Sequence, residues 1–146
     1  SMYFLQTDLN PSQVASYTAN EYVWFRIADV GGNIPVGSST FKFSYAVSAT
    51  ASVTGSDVIY AAQASWVDTS NTSESYGTAV SVTTTLDKVN LTKYKLSSQS
   101  AAITPGGTRS TDKSLYIKIY RDAVNTSDDY AANSKLIFVD IEFIMD

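Results

Sequence analysis

Strict alternation of apolar and polar side chains constrains this chain more than any other feature of its sequence. Residues 114–146 show it best, in two runs joined by a polar loop. One side of the runs carries Leu115, Ile117 and Ile119, then Ile137, Val139, Ile141 and Phe143. The other side carries Tyr116, Lys118 and Tyr120, then Phe138, Asp140 and Glu142. Because successive side chains of a β-strand point to opposite faces, the pattern predicts a hairpin of two half-buried strands.

The same period predicts further strands upstream of this hairpin. They are residues 21–28, 40–48, 57–67 and 78–86, with a weaker strand at 91–96 and a short apolar piece at 3–5. Glycine and proline turns separate several of them, since glycine supplies positive φ and proline cannot continue a ladder. No βαβ rhythm and no internal repeat is visible. About eight strands predict an all-β, antiparallel two-sheet β-sandwich, and the count favours a jelly roll.

The length of the chain, 146 residues, is that of one domain with a core of its own. We expect a single β-sandwich domain over residues 1–146, in which about residues 2–20 form an N-terminal arm. Ser1 before Met2 looks like an expression scar. If Met2 is the natural start, no cleavable leader precedes the domain, and synthesis in the cytosol followed by assembly is expected.

Cysteine and histidine are both absent from the sequence. Without them the Ser-His-Asp and Cys-His arrangements and the usual zinc sites cannot form. We therefore expect no enzymatic activity and no cofactor. A net charge of −4 without a basic run disfavours nucleic acid as a partner. No stretch reaches the ~20 apolar residues of a membrane helix, so a membrane is not expected as a partner either.

An acidic loop between the two C-terminal strands contains the weak candidates for a cation site. They are Asp122, Asn125, Asp128 and Asp129. Clustered oxygen ligands suit Ca²⁺, but the spacing does not match the EF-hand pattern. Aspartate and asparagine also form turns by bonding their own backbone, and we favour that interpretation. No metal is predicted.

The same loop predicts a structural ion pair. Arg121 is followed by Asp122 and, seven positions on, by the group Asp128-Asp129-Tyr130. A guanidinium that forks onto one carboxylate would fix the hairpin connection, with Arg121, Asp122 and Tyr130 as its structural residues. A catalytic role for Arg121 is not expected, because no nucleophile or base stands beside it.

Asp140 and Glu142 form a second pair of carboxyl groups, on one face of one strand. Their Cα atoms would lie only ~6.8 Å apart along that strand. A glycosidase pair must flank the scissile bond from two sides, so we expect a solvated or interface-facing strand face instead.

Aromatic residues are numerous, with ten tyrosines and two tryptophans. Flat rings with polar rims suit sugar stacking, and the candidate pairs are Trp24 with Tyr22, Trp66 with Tyr60, and Tyr116 with Tyr120. Such rings also fill sandwich cores and oligomer interfaces, which is the interpretation we favour. The residues predicted to form an oligomer interface are Trp24, Tyr116, Tyr120 and Phe138.

The C-terminal hairpin resembles that of small β-sandwich proteins of tailed bacteriophages and marine viral metagenomes. The resemblance lies in residues 115–122 and 130–143, an apolar strand ending in Arg-Asp, a loop with Asp and Tyr, and a strand ending in Val-Asp-Ile-Glu-Phe. Weaker support comes from residues 34–35, 41–43 and 58–60. One departure is the loop at 128–133, where the resemblance implies Asp-Thr-Tyr followed by a glycine-containing turn.

The resemblance implies a non-enzymatic virion structural protein, a component of a head, tail or fibre. Such a protein is made in the bacterial host cytoplasm and resides in the virion, where it self-associates, with a trimer favoured, and docks to other virion proteins. It implies no catalytic residues. The alternative is a carbohydrate-binding or host-receptor-binding module that recognises a surface glycan through its aromatic residues.

Overall fold

The computed structural model describes residues 2–5, 22–29, 34, 37–68, 74–88, 94–110 and 113–145. Ser1 and residues 6–20 of the expected N-terminal arm lie outside these ranges, as do the side chains of residues 2–5 and Lys88. The described residues contain strands and no helix, so none of them belongs to a helix able to cross a membrane.

The described residues form eight strands. They are β1 (Met2–Leu5), β2 (Tyr22–Ala28), β3 (Ser38–Ala49), β4 (Val53–Asp68), β5 (Val80–Lys88), β6 (Lys95–Leu96), β7 (Lys113–Arg121) and β8 (Ser134–Met145). Sheet A has the order β1-β8-β3-β6 and sheet B the order β2-β7-β4-β5. The six pairings between these strands are antiparallel. The prediction of an all-β, antiparallel two-sheet sandwich is confirmed.

The strand pairs share a simple rule. First pairs with eighth, second with seventh, third with sixth and fourth with fifth, as in one long hairpin. Two further pairs, β3 with β8 and β4 with β7, join these ladders into the two sheets.

The core lies between the sheets and is built from the inward positions of the alternating runs. β3 contributes Phe41, Phe43, Tyr45 and Val47, and β7 contributes Leu115, Ile117 and Ile119. The prediction that Ile137 occupies an inward position is wrong. A register shift makes Val47 pair with Leu136 while Ala46 pairs with Phe138, so Ile137 is the extra residue of a bulge. Leu136 takes the buried position instead.

Two loop segments cross tightly where β4 extends past β5. The backbone N–H groups of Gly77 and Gly106 both donate to the carbonyl of Ala64, at 2.9 Å each. A Cβ atom at Gly77 would lie 2.1 Å from the carbonyl oxygen of Thr104, so only glycine fits this crossing. The crossing fixes the segment from Glu74 to Gly77 beside sheet B.

Candidate functional site

Arg121, the last residue of β7, is the hub of the loop between β7 and β8. Its guanidinium is fully buried and forks onto Asp128, with Nε 2.9 Å from Oδ2 and Nη2 2.5 Å from Oδ1. It also donates to the carbonyls of Tyr130, at 2.5 Å, and Ala132, at 2.6 Å. The carboxylate of Asp122 instead accepts from the Asn125 side chain, at 3.2 Å.

The oxygens proposed as weak cation ligands already accept hydrogen bonds from the chain itself. Asp128 accepts from the backbone N–H of Ile59, at 3.0 Å, in addition to Arg121. Asp129 accepts from the N–H of Asp57, at 2.6 Å, and the side chain of Asn125 caps a short turn. No group of three or more acidic side chains in the described ranges is arranged to hold a metal ion. These residues shape the loop.

A group of mostly aromatic side chains lies on the outer face of sheet B. We call this group the aromatic face and define it as Tyr22, Trp24, Tyr116, Lys118 and Tyr120. Tyr22 lies opposite Tyr120 and Trp24 opposite Lys118 in the β2–β7 ladder. The Tyr22 ring lies 5.6 Å from the ring of Trp24 and 5.0 Å from that of Tyr120. Trp24 is 54% exposed and Tyr22 is 41% exposed, so two large rings remain accessible on the outer face of the sheet.

Lys118 is the cation of this face. Its Nζ lies 4.4 Å from the centre of the Tyr22 ring and 5.9 Å from that of Tyr120. Cation–π attraction therefore holds its charge over the rings. Burial, with a contribution from Asp122, raises the pKa of Tyr120, so this hydroxyl stays neutral and can donate a hydrogen bond.

Tyr76 borders the aromatic face, where the glycine crossing positions it. Its ring lies 4.9 Å from Lys118 Nζ. Its hydroxyl is buried and makes no hydrogen bond of ordinary geometry with any described residue. Burial, reinforced by the neighbouring Glu74 carboxylate, raises its pKa to about 12.

Phe138 lies on a different outer face from the other three residues of the predicted interface, and the interface itself stays a prediction. It lies opposite Ala46 on β8, so its ring is on the outer face of sheet A, whereas Trp24, Tyr116 and Tyr120 are on the outer face of sheet B. Its ring contacts Tyr94 edge-on, with the centroids 5.8 Å apart. Period-two alternation assigns a residue to a face but does not say which sheet that face belongs to.

The pair Trp66 and Tyr60 cannot stack on a sugar, because both side chains lie in the core. The Tyr60 hydroxyl is hydrogen-bonded to Ser134, at 2.8 Å. Nearby, the Tyr45 hydroxyl donates to the carbonyl of Val82, at 2.9 Å, and accepts from Thr84, at 2.7 Å. Burial raises the pKa of Tyr45, so this hydroxyl stays protonated.

Asp140 and Glu142 lie on the outer face of sheet A, where they line a cavity of about 210 Å³ that we call the polar pocket. Its other lining residues are Lys42, Ser44, Gln99 and Ile141. Glu142 is opposite Lys42 and Asp140 opposite Ser44 in the β3–β8 ladder. The two carboxyl groups come from one strand, so they do not flank the pocket as a glycosidase pair would. Burial raises the pKa of Asp140.

A second arginine clamp was not predicted from the sequence. Arg109 forks onto Asp29, at 2.6 and 2.8 Å, and donates to the carbonyls of Ile34 and Ser38. The hydrogen bonds that Arg109 donates to Asp29 raise the pKa of Arg109. The two partners are 80 positions apart, and no local spacing signals such a pair. Gln99 and Tyr94 were also missed, since they lie in a stretch with little alternation.

Comparison of the chain with protein-family models, curated proteins and solved structures found no significant match. The functional proposals therefore rest on the two outer faces and on the resemblance of the C-terminal hairpin.

Proposed function

We propose that this chain is a non-enzymatic virion structural protein of a tailed bacteriophage, a head-decoration, tail or fibre component that self-associates and docks to other virion proteins. The observation that carries self-association is the aromatic face, where Trp24 and Tyr22 stand 54% and 41% exposed. Large exposed aromatic patches mark interaction sites on proteins. The viral assignment, and with it residence in the virion after synthesis in the host cytoplasm, rests on the hairpin resemblance.

The aromatic face has the composition of an interface core. Interfaces are enriched in aromatic residues and arginine, with a polar rim around them. Here Tyr22, Trp24 and Tyr120 form the centre, and Arg26 stands beside them on β2 with its Nε bonded to Ser114 at 3.0 Å. The exposed hydroxyl side chains of β5, among them Thr83 and Thr85, supply a polar border on the same sheet.

The jelly roll is part of this proposal. A jelly roll forms when one long antiparallel hairpin wraps into two sheets with two Greek keys. The pairing of first with eighth, second with seventh, third with sixth and fourth with fifth strands supports that topology. Double-sheet jelly rolls are common in viral capsid proteins, which agrees with the proposed role.

A trimer is the assembly we propose, and the position of Phe138 limits how it can form. If the outer face of sheet A contacted the outer face of sheet B of another copy, the copies would stack into an open filament, because the two surfaces point in opposite directions. A closed ring needs surfaces related by rotation. We therefore propose that in the trimer the aromatic face of each copy packs against an edge of the neighbouring copy. Phe138 takes no part in this contact.

The test is the mass in solution, measured by light scattering coupled to size exclusion over two decades of concentration. We expect a stable mass near three times 15.8 kDa. Replacing Trp24 and Tyr22 by alanine should lower the mass to that of a monomer while circular dichroism stays β-rich. The matched control is Tyr94→Ala, which removes an equally exposed ring, 54%, from the other sheet. A monomeric wild type, or an unchanged mass in the Trp24/Tyr22 variant, would contradict self-association through this face.

Glycan binding is the second candidate function, and one observation favours it on the outer face of sheet A. The polar pocket opens there, two residues along β8 from Phe138, whose ring partner Tyr94 is exposed. The rings of sheet B are assigned to self-association, and Trp66 and Tyr60 are buried. A host-surface glycan would thus be bound on the face opposite the assembly contact.

A further inference from the structure

The polar pocket is bordered by hydrogen-bonding groups that the described part of the protein leaves unused. Asp140 is half-buried, and neither its carboxylate nor the Lys42 ammonium makes a hydrogen bond or ion pair with a described residue. Glu142 accepts a hydrogen bond from the Gln99 amide, which reaches across β3 to β8. Small-molecule sites are concave and carry a few convergent polar groups, so this arrangement points to a ligand.

The mixture of these groups decides the chemistry of that ligand. A cation would meet Lys42, and an anion would meet Asp140 and Glu142. A neutral molecule with several hydroxyl groups meets no like charge, because a hydroxyl can donate to the carboxylates and accept from the ammonium. The Gln99 amide and the Ser44 hydroxyl can each donate or accept a hydrogen bond. The pocket therefore fits a neutral polyol.

The size of the pocket and its apolar neighbour narrow the class further. About 210 Å³ corresponds to roughly seven waters of liquid volume, enough for one sugar ring. Phe138 precedes Asp140 by two positions and projects from the same face of β8, outside the residues that line the pocket. Tyr94 packs edge-on against Phe138 and keeps 54% of its surface exposed. An exposed ring beside convergent polar groups suits the apolar face and the hydroxyl rim of a pyranose.

We infer that the polar pocket is a binding site for a neutral saccharide, which extends along the same outer face to the exposed ring of Tyr94. Asp140 and Lys42 bind ring hydroxyls, Gln99 and Glu142 form a hydrogen-bonding pair at the far wall, and Tyr94 stacks on a sugar ring. This inference rests on the second candidate function and is independent of self-association through sheet B.

The experiment uses the full chain and a panel of neutral methyl hexosides and disaccharides, with a hexuronic acid as the anionic comparison. Binding is measured by saturation-transfer NMR, and the dissociation constant by calorimetry. We expect at least one neutral sugar to bind and the uronic acid to bind more weakly, because its carboxylate faces Asp140 and Glu142. Asp140→Asn should weaken binding by about tenfold or more, since it removes a charged acceptor of nearly unchanged shape.

Two further variants place the site. Tyr94→Ala should weaken binding several-fold by removing the stacking ring, whereas Trp24→Ala, on the other outer face, should leave the dissociation constant unchanged. Binding that survives both Asp140→Asn and Tyr94→Ala but is lost in Trp24→Ala would overturn this site while leaving glycan binding intact. No binding of any neutral sugar at millimolar concentration would overturn the site and the second candidate function together. Self-association is judged separately, since the light-scattering mass of the Asp140 variant should equal that of the wild type.

Discussion

Arg121 and Arg109 share one set of bonds at different depths in the protein. Each guanidinium forks onto one aspartate and donates to two backbone carbonyls, and each lies 5.5 Å from the centre of an aromatic ring. The side chains of Arg121 and Asp128 are 0% and 1% exposed, whereas those of Arg109 and Asp29 are 26% and 8% exposed. Burial is therefore the main variable between them.

The difference shows how strongly the stability of the fold depends on an ion pair once water is excluded from it. An exposed pair contributes about 0–1 kcal/mol, because water and salt screen it and long side chains lose entropy. A buried pair has given up its hydration, so removing one partner leaves an uncompensated charge in the interior. Arg121 organises the β7–β8 loop under that penalty, whereas Arg109 binds Asp29, Ile34 and Ser38 under a much smaller one.

The largest expected effect comes from Arg121→Met. Methionine fills a similar volume but leaves the Asp128 carboxylate buried without its guanidinium, so the free energy of unfolding should fall by about 3–5 kcal/mol. Urea denaturation followed by circular dichroism measures it. Adding Asp128→Leu should recover a large part of the loss, because the stranded charge is then gone. If the double variant were as unstable as the single one, the buried charge would not be the cause.

Arg109→Met should cost less, about 1–2 kcal/mol, since water can reach Asp29 when its partner is removed. The difference between wild type and this variant should also shrink in about 1 M salt, where the screening length falls to ~3 Å. The Arg121 variant should show no such narrowing. Equal losses for the two arginines, or equal salt dependence, would refute burial as the distinguishing variable.

Tyr130 tests whether the buried clamp acts beyond its own loop. Its carbonyl is held by Arg121, and its hydroxyl accepts from the backbone N–H groups of Thr50 and Ala51, at 3.0 Å each. Tyr130→Phe removes only the hydroxyl and should cost about 1 kcal/mol. Amide hydrogen exchange at Thr50 and Ala51 should accelerate, while the exchange of Ile117 in β7 stays slow. Unchanged exchange at Thr50 and Ala51 would show that the turn is held by other contacts.

The two clamps also show how far the sequence could predict this molecule. Period-two alternation predicted the strands and the inward residues of β3, β4, β5 and β7, because burial on one face of a strand is a local property. It failed at Ile137, since a bulge shifts the register without any local mark. The ion pair in the Arg121 loop was predictable, because its partners lie close together in the sequence. Arg109 and Asp29 were not, because only the finished topology brings them together.

The candidate sites follow the same division. Alternation identified the outward residues Trp24, Tyr116, Tyr120 and Phe138. It predicts which face of a strand a residue occupies, but not the sheet to which that strand belongs. Assigning them to sheets requires the strand order, which separates Phe138 from the rest. The polar pocket needed more still, because Gln99 reaches Glu142 across an intervening strand. Sequence separation hides such a group of side chains.

Asp140 extends the comparison to a carboxylate that is partly buried without an arginine. Burial alone raises its pKa, so the folded state binds this proton more tightly than the unfolded state does. The associated stability is present below the unfolded pKa, near 3.9, and is lost as the pH rises through the higher folded value. At neutral pH the charged Asp140 is therefore a small net cost to folding, in contrast to the paired Asp128.

Asp140→Asn should remove this cost and give the smallest effect of the four. The variant should be slightly more stable than the wild type at pH 7, and the advantage should diminish as the pH falls toward about 3, where Asp140 is protonated in both states. Urea unfolding of both proteins across that range measures the difference. A wild type more stable than the variant at pH 7 would mean that Asp140 has a stabilising partner. The expected result, a gain in stability at a residue assigned to sugar binding, is what a site selected for a ligand rather than for folding should show.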